Sequence, residues 1–219
     1  MKRMNRKVFL AIACLALAAM SCEALSNLGG SGAILQDDFS SADWGTGTDA
    51  DSSIEYANNA LQMQVFTQNY FVWSTPPNAE NYENIHMEVT VVNNGSDPET
   101  AFGFFCYKQY PIDDSRYFFA VSPNGEYAIA RAALALDDEI LTNNGQWETS
   151  DLIPQNASSY RLGADCGNGT LTLYVDGQQI DSVSDSTYTS GGFALFAWSG
   201  EEVKTVNVSF DDFLMTELP

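Results

Sequence analysis

Flat aromatic rings and forked guanidinium groups recur through the middle of the chain. Gly103, Phe105 and Tyr107 share one face of an alternating run, Arg116 and Arg131 fall in the next two runs, and Arg161 lies with Gly163 further on. Such rings cover the apolar faces of a ligand while a few polar groups fix its orientation. Arginine adds paired hydrogen bonds to hydroxyls or carboxylates. Lys108, Arg116, Arg131 and Arg161 are four of the five basic residues beyond position 7, so they form a basic section in an acidic chain that could line a groove. Each arginine also has a plainer use, an ion pair with a neighbouring Asp or Glu. Trp73, Trp147 and Tyr110 fall near expected loops and are candidates for a rim. Trp44 and Trp198 sit among small residues and read as core, where most aromatics of a β-sandwich belong.

Other chemistries find less support. His86 is the only histidine and lies in an alternating run, so no four-ligand zinc set with a normal spacing can be assembled. A serine-histidine triad would have to use it without a Gly-x-Ser-x-Gly elbow. No glycine-rich loop is followed by Lys-Ser or Lys-Thr to cradle phosphate. The acidic pairs Asp113-Asp114 and Asp137-Asp138 read as solvated loop residues.

The first residues read as an export signal. The basic start MKRMNRK precedes the apolar run 8–20 and then Ser21-Cys22, the order of n-region, h-region and small-residue site. The run is short for a membrane span. LAAMSC resembles the bacterial lipobox, in which the cysteine is acylated and becomes the new N-terminus, so residues 1–21 are expected to be removed and Cys22 to carry lipid. Cys14 comes too early for that role, and an ordinary signal-peptidase site nearby is the alternative. Either way the mature protein is exported, and the lipid reading anchors it to a membrane facing the cell exterior. Residues 22–32 then form a small-residue linker, a flexible coil reaching roughly 15–20 Å from the anchor.

Export changes how the other cysteines are read. Cys106 and Cys166 remain as a pair, and thiols outside the cytoplasm tend to oxidise. Both lie on apolar strand faces, Cys106 with Phe102 and Phe104, Cys166 with Tyr160, Leu162 and Ala164. A bridge between neighbouring strands would close a loop of about 60 residues, for which chain entropy gives roughly 4 kcal/mol. Two buried free thiols are the alternative.

Charge narrows the partners. Four of the nine basic residues (Lys2, Arg3, Arg6, Lys7) belong to the leader, and without them five face 29 acidic residues, a balance of −24. Such a surface repels phosphate backbones and anionic headgroups, which excludes nucleic acid and leaves the lipid anchor as the only bilayer contact.

These residues need strands to position them. At 219 residues and 45% hydrophobic content the chain can bury one sizeable core, which assigns 33–219 to a single domain. Period-two alternation predicts strands at 34–39, 53–56, 61–66, 70–74, 85–93, 101–107, 116–122, 127–131, 160–166, 171–175, 179–184, 192–198 and 205–215. Asn58-Asn59, Asn94-Gly95, Asn144-Gly145, Asn168-Gly169, Asp176-Gly177 and Gly191-Gly192 punctuate them with residues that tolerate positive φ. The stretch AIARAALALDDEI at 128–140 favours helix on propensity, yet Pro123-Asn124-Gly125 reads as a hairpin turn, so its first half is assigned to strand. Many short strands predict an all-β, two-sheet antiparallel sandwich.

NGTLTLYVDGQQI followed by GGFALFAW resembles the late hairpin of concanavalin A-like jelly rolls, the group with laminin G-like and laminarinase-like domains. DDFS, NGEYAIAR, SYRLGADC and SFDDF extend the resemblance over nearly the whole mature chain, to exported bacterial domains of that group. The resemblance implies that the terminal strands pair antiparallel, bringing Asp37-Asp38 near Asp211-Asp212. A structural Ca²⁺ between Asp38 and Asp212 is then conceivable, since that ion takes oxygen ligands, although few of the six to eight can be named. Otherwise no cofactor is expected. Relatives in this superfold bind glycans, hydrolyse them or mediate protein contacts, so function has to be read from the site. Laminarinase-type hydrolases carry Glu-x-Asp-x-x-Glu on one strand, and this chain has no Glu-x-Asp. The expectation is therefore a surface-anchored, non-catalytic recognition domain for carbohydrate. A protein-contact or structural module stands second, and a divergent glycoside hydrolase third.

Overall fold

The computed structural model describes residues 32–79, 81–109, 115–134, 136–201 and 205–219. The leader, Cys22, the linker up to residue 31, Tyr110 and the Asp113-Asp114 pair lie outside the described residues.

From Ala33 onward the chain forms sixteen strands among the described residues: β1 (Ala33–Asp37), β2 (Gly47–Thr48), β3 (Ser52–Ala57), β4 (Ala60–Val65), β5 (Phe71–Ser74), β6 (Ile85–Asn93), β7 (Ala101–Lys108), β8 (Arg116–Val121), β9 (Glu126–Ala132), β10 (Glu139–Ile140), β11 (Glu148–Thr149), β12 (Ser159–Gly167), β13 (Thr170–Val175), β14 (Gln178–Ser184), β15 (Gly192–Trp198) and β16 (Val206–Glu217). All thirteen strands expected from the alternation are present. The three additions, β2, β10 and β11, are two-residue pairings too short to carry a periodic signal.

Two antiparallel sheets result. A nine-stranded sheet runs β14-β13-β12-β6-β16-β4-β3-β2, with β1 on β16, and a seven-stranded sheet runs β10-β9-β8-β7-β15-β5, with β11 on β9. Tight turns connect neighbours where the sequence permits them. Asp176-Gly177 takes φ of 51° and 74° and Asn168-Gly169 takes 54° and 71°, the geometry that two-residue hairpins require. The terminal strands pair antiparallel, with Asp37 opposite Phe213.

Alternation then sorts the side chains. Leu61, Met63, Met87, Val89, Leu162, Leu171, Leu173 and Val208 point inward from the nine-stranded sheet and meet Phe102, Phe104, Tyr117, Phe119, Ile129, Phe193 and Leu195 of the other in one buried core. Cys106 and Cys166 form a disulfide with Cα atoms 6.7 Å apart. Their strands, β7 and β12, are not neighbours but belong to opposite sheets. The bridge crosses the core because each cysteine occupies the inward position of its own strand.

Two irregularities move residues off the faces that strict alternation assigns. The pairing of β15 with β7 shifts between Gly192 and Phe193, which face Lys108 and Cys106, so Tyr107 is the extra residue of a bulge with φ of 51°. Gly191 and Gly192 allow the close approach there, since a Cβ on Gly192 would lie 2.3 Å from the Ala79 carbonyl oxygen. The second shift, between Asp211 and Leu214 of β16, lets both Phe210 and Phe213 face the core and turns Asp212 outward with φ of 51°.

Candidate functional site

The outer face of the seven-stranded sheet is apolar and aromatic. The outward positions are Phe71 and Trp73 on β5, Phe105 on β7, Phe118 on β8, Ala130 and Ala132 on β9, and Phe196 and Trp198 on β15; most of them pack into a second cluster separate from the main core. Phe105 and Phe196 stack at 4.8 Å, and Phe71 stacks on Trp198 at 5.5 Å. Arg116 is buried on this face, its guanidinium carbon 4.3 Å from the Phe105 ring centroid, a cation–π contact. The centre of the face is sealed, since Phe105, Phe118 and Phe196 are buried, and access lies towards its ends.

One accessible end is a pocket of about 490 Å³ beside Trp73, which is 39% exposed, with Asp43, Thr75, Asn78 and Lys108 among its lining residues. The other is a pocket of about 400 Å³ lined by Trp147, Trp198, Ser122, Glu99, Glu126 and Glu201 together with Gly200. Trp147, which directly precedes β11, stacks on Trp198 with centroids 6.0 Å apart and planes inclined by 23°. Within this pocket Glu126 accepts a hydrogen bond from the Asn124 amide at 2.7 Å.

The six candidate ligand-binding residues therefore do not converge. Trp73, Trp147 and Arg116 belong to the outer face of the seven-stranded sheet. Tyr107 does not: its bulge turns the ring into the core, where the hydroxyl donates to the Cys166 carbonyl at 2.8 Å. Arg131 shares the inner side of β9 with Tyr127 and Ile129, ion-pairs with Glu139 across the β9–β10 pair and bonds Asp185 Oδ2 at 2.6 Å. Asp185 also accepts from the Tyr117 hydroxyl, whose pKa burial and that carboxylate push up to about 12. Arg131 thus fastens the segment after β14. Trp198, expected in the core, is outward and only half-buried, because the seven-residue strand β15 places Ala194, Phe196 and Trp198 on one side. Trp44 is core, with its indole nitrogen donating to Asp37 at 2.8 Å.

Arg161 lies on the other sheet. On the outer face of the nine-stranded sheet its guanidinium bonds Glu88 at 3.0 Å, Thr90 at 3.2 Å and the Asp212 carbonyl at 2.6 Å, with the Asp212 carboxylate at 3.4 Å. His86 joins this array through Asp165 at 2.6 Å and Glu88 at 3.4 Å, and the Tyr174 hydroxyl donates to Asp165 at 2.7 Å. Its bond to Asp165, then that to Glu88, raises the imidazole pKa to about 9, and the same imidazole lowers Glu88 to about 2. The histidine that looked isolated in sequence is a charged member of a cross-strand ladder, visible only once the register pairs His86 with Asp165.

The proposed calcium pair is otherwise engaged. Asp38 accepts from the Ser40 backbone at 3.0 Å, and Asp212 faces Arg161. Among the described residues no group of three or more His, Cys, Asp or Glu side chains is placed to hold a metal ion.

No protein-family model and no curated protein matches the chain by sequence. Solved structures do match in fold. Carbohydrate-binding module CBM66 from Bacillus subtilis aligns with a TM-score of 0.58 at 15% identity, over 80% of this chain and 96% of that one. A Bacillus subtilis protein of unknown function with a galectin-like fold gives 0.61 at 12% identity, over 86% and 97%. The Bacillus licheniformis β-glucanase gives 0.57 at 12%, over 88% and 100%. The chain has the concanavalin A-like jelly-roll fold, which it shares with that carbohydrate-binding module and that β-glucanase.

Proposed function

We propose that this domain is a non-catalytic carbohydrate-recognition module that takes its glycan at the Trp-bearing ends of the outer face of the seven-stranded sheet. The observation that carries this reading is the Trp147–Trp198 stack beside Ser122, Glu99, Glu126 and Glu201. Ring faces cover the C–H surface of a sugar while hydroxyl and carboxylate groups take its hydroxyls. Trp73 offers a second aromatic surface at the other end. The fold shared with CBM66 and the β-glucanase supports a carbohydrate role. Non-catalytic binding is favoured because the outward positions of β7, β8 and β15 carry aromatic, alanine, glycine and arginine side chains, leaving no pair of carboxylates across the centre of the face.

The leader pattern and Cys22 support an exported, lipid-anchored protein whose domain is held at the cell exterior. Metabolic labelling with a fatty acid, lost in Cys22→Ala, tests the anchor. A glycan array probed with the full-length protein, with Trp198→Ala and Trp73→Ala alongside, tests the function. Saturable binding lost in a Trp variant supports the reading, and release of reducing ends from a bound glycan would replace it with hydrolysis.

A further inference from the structure

We infer that the Trp147–Trp198 pocket selects saccharides bearing free, protonated amino groups, glucosamine-type sugars, over neutral, N-acetylated or acidic ones. This rests on the carbohydrate reading above and names its ligand class. Two independent features of the pocket agree. Trp147 stacks on Trp198, which stacks in turn on Phe71, and the indole surface left outside these stacks attracts cations as well as sugar C–H groups. Around them stand Glu99, Glu126 and Glu201, with Ser122 as a neutral partner and no basic side chain in the described lining. A sugar ammonium would exchange water for charge-assisted hydrogen bonds to these carboxylates, whereas a uronic acid would meet like charge.

Among the described residues the cations that could neutralise the site are held elsewhere. Arg116 lies over Phe105, Arg131 is bonded to Glu139 and Asp185, Arg161 to Glu88 and Asp212, and Lys108 lines the opposite pocket. Lys204 lies outside the described residues. The chain's negative balance adds a long-range field that concentrates cationic ligands at the surface. The pocket volume of about 400 Å³ suits roughly one or two sugar rings, so recognition falls on a short segment of a glycan.

The test is calorimetric titration of the full-length protein with glucosamine oligomers, their N-acetylated counterparts, β-glucan oligomers and oligolysine, repeated with the Glu99→Gln, Glu126→Gln, Glu201→Gln triple variant and with Trp198→Ala. The expected result is glucosamine oligomers binding about tenfold or more tightly than the acetylated and neutral ones, with that margin lost in the triple variant and weakened by salt. Should the triple variant fail to fold, the salt dependence and the acetylation comparison in the unaltered protein carry the test. Equal or tighter binding of acetylated or neutral oligomers, unchanged by the glutamine substitutions, overturns the charge selectivity and leaves carbohydrate recognition standing. Oligolysine binding as tightly as the amino sugars overturns it in favour of general polycation adhesion. No binding of any saccharide removes both readings.

Discussion

Trp147 and Trp198 meet face to face, 6.0 Å apart, although one directly precedes β11 and the other ends β15. Trp198 also stacks, nearly parallel and at 5.5 Å, on Phe71, its cross-strand partner on β5. Trp147 comes from the segment before β11 and packs half-buried against the same outer cluster. Trp147→Ala should therefore weaken glycan binding about tenfold or more, and, because the ring packs half-buried against the outer aromatic cluster, also cost stability by about 1 kcal/mol. Titration alongside a thermal melt checks this; unaltered affinity in a folded variant would remove the stack from the site.

The arginines separate by sheet. Arg161→Ala and Arg131→Ala should leave glycan affinity within about twofold, because neither lies on the outer face of the seven-stranded sheet. Arg116→Ala removes a buried guanidinium from above Phe105 and should cost stability by roughly 1–3 kcal/mol through lost packing. Binding assays and urea denaturation of the three variants check the pattern. Loss of binding in Arg161→Ala would move the site to the opposite sheet.

The disulfide between Cys106 and Cys166 joins the two sheets across 60 residues of sequence. Its removal in a paired Cys→Ala variant should lower stability by about 4 kcal/mol, chiefly by releasing the unfolded chain. Urea unfolding with matched slopes reads the change, and coincident midpoints would show that the bridge constrains nothing the sandwich does not already hold.

His86 gives a pH signature. Its folded pKa of about 9 exceeds the unfolded value of 6.5, so its contribution is complete below about pH 6.5 and is lost as pH rises through about 9. Glu88 runs oppositely: held at about 2 against 4.5, it contributes fully above about pH 4.5 and is lost as pH falls towards 2. The stability gap between the native protein and His86→Gln should be widest between about pH 4.5 and 6.5 and close by pH 10. Thermal melts measure it, and NMR can follow the sole histidine directly. A midpoint near its ordinary value would dissolve the ladder.

The fold was legible because the strands of the nine-stranded sheet mostly alternate buried with exposed or half-exposed positions, the doubly buried strands β7, β8 and β15 are short apolar runs, and Asx-Gly dipeptides mark the hairpins. Period-two reading placed Leu171, Leu173 and Val175 inward and found Asp176-Gly177 as a turn. It failed where the period breaks. Tyr107 should point outward by alternation, but the bulge opposite Gly192 rotates it into the core. The Phe210-Phe213 spacing of three is the matching trace of a bulge in β16, and it could have been read. Sheet membership was beyond reach: nothing local to Arg161 says that β12 pairs with β6 and not with β7. The Trp147–Trp198 stack was half visible, since Trp147 was expected at a rim, while the small neighbours of Trp198 gave it the look of a core residue.

The most direct test of the central claim is to map the bound glycan by NMR chemical-shift perturbation on the isotopically labelled protein. The account predicts shifts at the indole N–H of Trp147 and Trp198 and at the amides of Ser122, Gly200 and Glu201, or around Trp73 at the other end, with His86, Arg161 and Tyr174 unmoved. Perturbations gathered on the His86–Asp165–Arg161 face would contradict it and place recognition on the nine-stranded sheet.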